Sequence, residues 1–317
     1  MGWWPTTSGR WCSSPVFGAE VDIPDDLDVV VVGDVITDTI VCAQMDRVDD
    51  ADTTSSITRT AGGQGANQAA WLTVAGARTA VIARVGSADI AMHRAQLLAI
   101  GVEPLLSVDP VLPSGEIVVI VDARSGARHM YTQRGAAAEL HPLDISATDV
   151  ARARWVHVSG YVLGGTFGPE VMERLGALAA ATGVPVSLDP ASITEIARLG
   201  PAAFLGAGAS VIFPNIDEVR ALTGVHDVEQ AVRALGDSVP IVVASLGADG
   251  AMAFNRETGQ LLYLRASPVV AVVDTTGAGD ALAAGFLAGH VSGASLADAL
   301  HEGLDLAATA ISRVGAH

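Results

Sequence analysis

The chain of 317 residues carries 18 basic and 35 acidic side chains, a formal net charge of −17, and every basic residue is an arginine. The lack of lysine excludes Schiff-base catalysis and GxxxxGK[ST] phosphate loops, both of which need a lysine amine. The acid excess argues against nucleic acid, whose affinity comes from phosphate neutralisation, and for a small-molecule partner. Two cysteines, Cys12 and Cys42, give neither a disulfide framework nor a metal cluster and fit a reducing cytoplasm. No run approaches the ~18 apolar residues of a membrane span.

Residues 1–26, with Trp3, Trp4 and Trp11 among Ser, Gly and Pro, lack the basic start and apolar core of a signal peptide and read as a disordered extension. One domain over 27–317 follows. DVVVVG at 28–33 is a β-branched run ending in glycine, the pattern of a buried parallel strand. Similar runs recur at 80–85, 155–159, 184–189, 210–213 and 240–245. Helical stretches lie at 65–76, 89–100, 168–182, 216–223, 228–236, 279–290 and 296–312. Strands alternating with helices predict an α/β fold, a doubly wound and mostly parallel sheet flanked by helices. Segments 37–60 and 115–134 have strand-like spacing without crossover helices. The second reads as a hairpin turning at Ser125 and Gly126. Together they predict a small antiparallel β lid that excludes water from a site.

The strongest chemical signal is DTTGAGD, Asp274 to Asp280, opening an alanine-rich helix. The first amides of a helix lack internal partners and carry partial positive charge, so they form an anion site. Gly277 and Gly279 admit a ligand to the backbone, and Asp280 would sit beside the anion. An ordinary aspartate cap is the plainer alternative.

This motif resembles the C-terminal signature of the PfkB/ribokinase family of sugar and nucleoside kinases. Four further segments match in family order: Gly33-Asp34 with Asp38, GGQGANQAA at 62–70, Asn215 to Glu218, and SLGADG at 245–250. The resemblance implies a ribokinase-like fold with a lid, a cytoplasmic enzyme, ATP and Mg²⁺ as cofactors, and no nucleic-acid or membrane partner. It implies Asp280 as the base that takes the substrate hydroxyl's proton, with the Gly277, Ala278, Gly279 and Asp280 backbone as anion hole. Asp38, Gly62, Gly63 and Asn67 would hold the substrate. Asn215, Glu218, Ser245, Gly247, Gly250 and Thr276 would serve the nucleotide, Asn215 and Glu218 meeting magnesium through waters. Asp274, with Gly315, is the candidate for a monovalent cation such as K⁺. A homodimer through the lid is a further implication.

Local alternatives remain at several positions: loop capping for Asp38, an Asn cap with its N3 glutamate for Asn215 and Glu218, and a tight turn for 245–250. Arg128 and Arg134 could meet an anionic substrate, though a solvated surface is the plainer reading. His157 reads as a packed core histidine, and Ala281, Ala284, Leu287 and Ala288 as helix packing. Gln64 stands where many ribokinases have lysine, and Gly135 to Ala138 replaces their Gly-Ala-Asn, which counts against ribose. Three functions remain: a kinase for the hydroxymethyl group of a small sugar, a nucleoside kinase of adenosine or pseudouridine type, and a non-catalytic regulator on the same fold. Scarce aromatics tilt against a nucleobase, although Tyr131 and Tyr161 could stack on one. GDVITD has no GxGxxG, which excludes a Rossmann dehydrogenase.

Overall fold

The β-branched runs of the sequence assemble into the centre of one large sheet. The computed structural model describes residues 26–43, 51–122, 128–269 and 271–312. The expected N-terminal extension, the turn at Ser125 and Gly126, the Arg128 side chain and Gly315 lie outside the described set. In chain order the elements are β1 (Leu27–Val32), β2 (Ile36–Ala43), β3 (Ser55–Gly62), α1 (Gln64–Val74), β4 (Thr79–Gly86), α2 (Ile90–Ala99), β5 (Glu103–Asp109), β6 (Gly115–Val121) and β7 (Arg128–Gln133). Then follow α3 (Ala147–Ala151), β8 (Ala153–Ser159), α4 (Gly168–Thr182), β9 (Val186–Asp189), α5 (Ile193–Leu199), α6 (Pro201–Leu205), β10 (Val211–Ile212), α7 (Ile216–Thr223) and α8 (Val228–Gly236). The chain closes with β11 (Ile241–Ser245), β12 (Ala251–Asn255), β13 (Gln260–Leu264), α9 (Ala278–Val291) and α10 (Leu296–Ile311).

Among the described residues, nine strands form a sheet of order β13-β12-β11-β10-β9-β8-β1-β4-β5. It is parallel from β5 to β11, with β12 and β13 added as an antiparallel edge. β1 shows why a continuous apolar run is needed. Val29 and Val31 face a core shared with Ala66 of α1, Phe286 of α9 and Leu300 of α10. Val30 and Val32 face the opposite core, with Leu175 of α4, Ile196 of α5 and Val232 of α8. Successive side chains point to opposite faces, so a strand covered on both sides must be apolar throughout. The predicted doubly wound sheet is therefore present, and the chain reverses its winding direction between β1 and β8. In such sheets that switch point, at the strands' carboxyl ends, is where ligands sit.

Sequence reasoning did not find β5, β12, β13, α3, α5 or α6. β5 carries Pro104, which an edge strand tolerates. β12 reads AMAFN, weak in strand propensity, and is specified by pairing with β11 and β13.

The lid forms a second sheet of order β3-β2-β6-β7. It is mixed rather than wholly antiparallel. β2 and β6 both leave the main sheet at the same level, Ile36 beside Gly115, and so run parallel. α9 and α10 pack through small residues: a methyl on Gly285 would stand 2.7 Å from the Glu302 carbonyl oxygen, and one on Gly303 2.7 Å from that of Leu282. No helix among the described residues is long and apolar enough to cross a membrane.

Candidate functional site

The Asp274–Asp280 motif forms the turn into α9. Gly277 enters the helix in the left-handed conformation, φ 77°, which costs a residue bearing a side chain about 1–2 kcal/mol. The buried Asp274 carboxylate accepts the Thr276 N–H at 2.9 Å, and the Val273 N–H donates to the Ile311 carbonyl at 2.8 Å, tying the turn to the end of α10. The helical ladder starts with Ala281 N–H to the Gly277 carbonyl at 2.9 Å. Of the expected anion-hole amides, that of Ala278 donates to the Thr275 carbonyl at 3.3 Å. Those of Gly279 and Asp280 lie ahead of the ladder, where helix amides lack intrahelical partners and the dipole is positive.

On one side of this terminus lies a cavity of about 530 Å³. Ala278 and Gly279 line it together with the predicted Ser245, Gly247 and Gly250, and Val272, Leu282, Leu304 and Ile311 make its walls apolar. Thr275, rather than the predicted Thr276, is the threonine on this wall. Asn215 and Glu218 form a capping box at the start of α7. Asn215 Oδ1 accepts from the Asp217 and Glu218 amides at 2.9 and 3.0 Å, and Glu218 Oε2 accepts the Asn215 N–H at 2.8 Å. Burial, then the negative charge of Asp189, pushes the Glu218 carboxyl up to about 7, against the hydrogen bonds from Asn215. Among the described residues no three His, Cys, Asp or Glu side chains are grouped to hold a metal directly. Magnesium keeps several of its waters and needs few carboxylates, so a lone carboxylate is compatible with that ion.

On the other side lies an acidic cleft at the sheet's switch point. Asp34 follows β1 and Asp189 ends β9. Asp38 reaches in from β2, and Asp280 stands one residue past the cavity wall. The Asp34 carboxylate accepts the Gly65 N–H at 3.2 Å and an Arg134 Nη1–H at 2.9 Å. Gln68 on α1 donates to Asp189 at 3.2 Å and also hydrogen-bonds Asp280, as does the buried Asn67. Gln64 accepts from Ser159 at 2.6 Å and hydrogen-bonds Asp189. Gly62 lies directly against the Asp38 carboxylate, and Gly63 caps the start of α1. Asp38 Oδ1 and Gln68 Oε1 are buried acceptors with no hydrogen-bond partner among the described residues.

Crowding these carboxylates raises their proton affinity. Burial, then the charge of Asp34, lifts Asp38 to about 6. Burial lifts Asp189 to about 6 against hydrogen bonds from the Ala191 N–H, Gln64 and Gln68. Asp280 rises well above the ordinary carboxylate range, through burial first and the charges of Asp189 and Asp34 second. Ala191, with φ 70°, is held in the left-handed region so that its N–H reaches Asp189 at 2.8 Å.

Asp34, Asp189, Gln64 and Gln68 were given no site role from sequence, yet the rule that ligands meet strand carboxyl ends would have chosen Asp189. Arg134 also departs from expectation. Instead of a solvated surface it has an ion pair with Asp34 and a guanidinium stacked 3.5 Å from the centre of the Tyr161 ring. Its sequence neighbour Gly135 carries no side chain to hold it, so the tertiary pairing was not readable locally. His157 is buried in β8 with its Nδ1 2.8 Å from the Ser187 hydroxyl, a core histidine whose pKa burial lowers to about 3. Gly315, the expected companion of Asp274, lies outside the described residues.

The sequence model of pfkB family carbohydrate kinases matches residues 26–317. Over 270 residues the chain is 31% identical to a 1-phosphofructokinase of Rhodobacter capsulatus, covering 81% of each chain. Over 292 residues it is 27% identical to a cytidine kinase of Thermococcus kodakarensis, covering 91% of this chain and 98% of that one. In three dimensions it is similar to a probable sugar kinase protein from Rhizobium etli, with a TM-score of 0.81 at 25% identity over 92% of this chain and 94% of that one. With its doubly wound sheet, second small sheet and glycine-rich turn into α9, the chain belongs to the pfkB family of carbohydrate kinases, phosphotransferases with an alcohol group as acceptor.

Proposed function

We propose that this protein transfers the γ-phosphoryl group of Mg-ATP to a hydroxymethyl group of a small sugar. The observation that carries the reading is the position of the α9 terminus, with Ala278 and Gly279 on the wall of the apolar cavity and Asp280 in the acidic cleft. A nucleotide in the cavity and a sugar in the cleft would meet there. Asp38 Oδ1 and Gln68 Oε1, buried without partners, offer acceptors that sugar hydroxyls would satisfy, and unpaired buried acceptors cost about 1–3 kcal/mol each.

Asp280 is the proposed base. Its raised proton affinity brings it nearer working pH, where a general base acts best, and Asn67 and Gln68 orient it. The Gly279 and Asp280 amides face the charge that develops on the transferring group, for phosphoryl transfer depends mainly on positioning and electrostatic stabilisation. Magnesium bound with the nucleotide supplies charge neutralisation on the phosphates. Glu218 would contact that ion through water. On the lid, Ile40, Val119 and Met130 share the Asp38 face of the sheet and would exclude water above the sugar.

The two tyrosines speak against a nucleoside. Tyr131 pairs with Val118, in register with Thr39, and so lies on the lid face opposite Asp38. One face of Tyr161 is covered by Arg134. The test is ADP release from Mg-ATP across a panel of sugars and nucleosides. Turnover that requires a sugar is expected; turnover with nucleosides alone, or none beyond ATP hydrolysis, overturns the reading.

A further inference from the structure

Beside the acidic cleft, and joined to it through Asp34, is a second pocket of about 240 Å³. It is too large for a lone water or ion, since one water needs only about 10–15 Å³ on a comparable measure. Its polar side chains are Asp34, Glu195, Arg134, Arg198 and Tyr161; alanine, valine and glycine make up the rest. No side-chain amide or aliphatic hydroxyl lines it. A neutral sugar end would find little here that the cleft does not already offer.

The two arginines are held in place with donors to spare. Arg134 uses Nη1 for Asp34 at 2.9 Å, and its plane is fixed against Tyr161 at 3.5 Å. Arg198, on α5, uses Nε and Nη2 for Glu195 at 3.2 and 2.6 Å and Nη2 for the Gly164 carbonyl at 2.9 Å. Arg134 also hydrogen-bonds Tyr161, while the bonds of Arg198 leave its Nη1 without an acceptor among the described residues. Each ion pair leaves its guanidinium charged and oriented. N–H groups of a guanidinium so fixed can donate to the oxygens of a carboxylate or phosphate, a charge-assisted hydrogen bond. The cleft itself, dense in carboxylates, would repel an anion anywhere except beside these groups.

Resting on the kinase reading above, we propose that the substrate is an anionic sugar: its hydroxymethyl end faces Asp280, and a carboxylate or phosphate ester at the other end is bound by Arg134 and Arg198. The transferred group is unaffected by this assignment. The sugar oxygen gains phosphorus, the β–γ bond of ATP breaks, and the hydroxyl proton passes to Asp280.

The experiment has two readouts on the full chain. The first compares kcat/KM with Mg-ATP for sugar acids such as 2-dehydro-3-deoxygluconate, for sugar phosphates such as fructose 1-phosphate and ribose 1-phosphate, and for the neutral parent sugars. One anionic arm is expected to exceed its neutral counterpart by about 100-fold, and which arm does so identifies the group. In Arg198→Gln that ratio should fall at least tenfold, with partial recovery in Arg198→Lys. Arg198 is half-exposed at the pocket rim, so melting curves are expected to show an intact fold. A neutral sugar used as well as the anionic ones overturns the inference and leaves the kinase reading standing. If no sugar turns over, the kinase reading fails, and calorimetric binding of the same anions without ATP decides the subsite: binding weakened by Arg198→Gln supports it, and none overturns it.

Discussion

The two sides of the α9 terminus are built on opposite principles. The cavity beside Ala278 and Gly279 is walled by small and apolar residues and offers an anion backbone amides and the hydroxyls of Ser245, Ser267 and Thr275, with no charged side chain among its lining. The cleft beyond Asp280 gathers Asp34, Asp38, Asp189 and Asp280 around two glutamines, with Arg134 as the counter-charge bonded to Asp34. One side binds by removing side chains, the other by concentrating charge. On the proposed reading, a lysine-free chain of charge −17 would hold a polyphosphate through a helix end and the nucleotide's magnesium rather than through basic side chains.

The largest expected effect separates the sides at their junction. Asp280→Asn should lower kcat by about 10²–10⁴-fold while ATP affinity, measured by calorimetry, is preserved. Equal loss of both would mean that Asp280 serves the cavity as well. Next is Gly279→Val. A methyl on Gly279 meets no protein atom within 4 Å, so the fold should survive while the KM for ATP rises at least ~10-fold, about 1.4 kcal/mol. Any single arginine-to-glutamine change should raise that KM less.

A smaller effect tests the charge-dense side. Asp189 has its proton affinity raised in the fold, so the folded state binds more protons than the unfolded chain between about 4 and 6. The sign follows: stability present at low pH is lost as pH rises through 6. Asp189→Asn should then be more stable than the parent at pH 8 by about 2–3 kcal/mol, from roughly two pKa units at 1.36 kcal/mol each, and lose that advantage near pH 4. Melting curves without divalent cations check it, and an advantage that does not vary with pH would refute the charge argument. The smallest effect is at Ala191, whose left-handed φ costs about 1 kcal/mol that Ala191→Gly should recover as a slightly higher Tm.

The same contrast governs what could be read in advance. The glycine-rich turn is contiguous, and its chemistry follows from how any helix begins, so Gly277, Gly279 and Asp280 stand out in one line of sequence. The main strands and long helices were legible for a similar reason, since local periodicity reports burial on one face or two. The acidic cleft is assembled from β1, β2, α1, β9 and the residue after β7. Asp189 in VSLD and Gln68 in a helical run look like ordinary polar residues until the sheet brings them together. Arg134 needed a partner 100 positions away to cease looking solvated. Asn215 and Glu218 show the converse: their capping box is fully accounted for by local structure.

The close fit of α9 against α10 sets a mechanical tolerance for the molecule. Asp280 rides at one end of a rigid rod, and the rod's height above its neighbour is fixed midway along by Gly285 and Gly303, where a single added methyl would meet a backbone carbonyl at 2.7 Å. On the proposed reading a displacement there would carry along the helix to the Asp280 carboxylate, and a shift of about 1 Å can cost a reaction roughly a hundredfold. The position of the proposed base would thus be gauged by two glycines well along the helix from it.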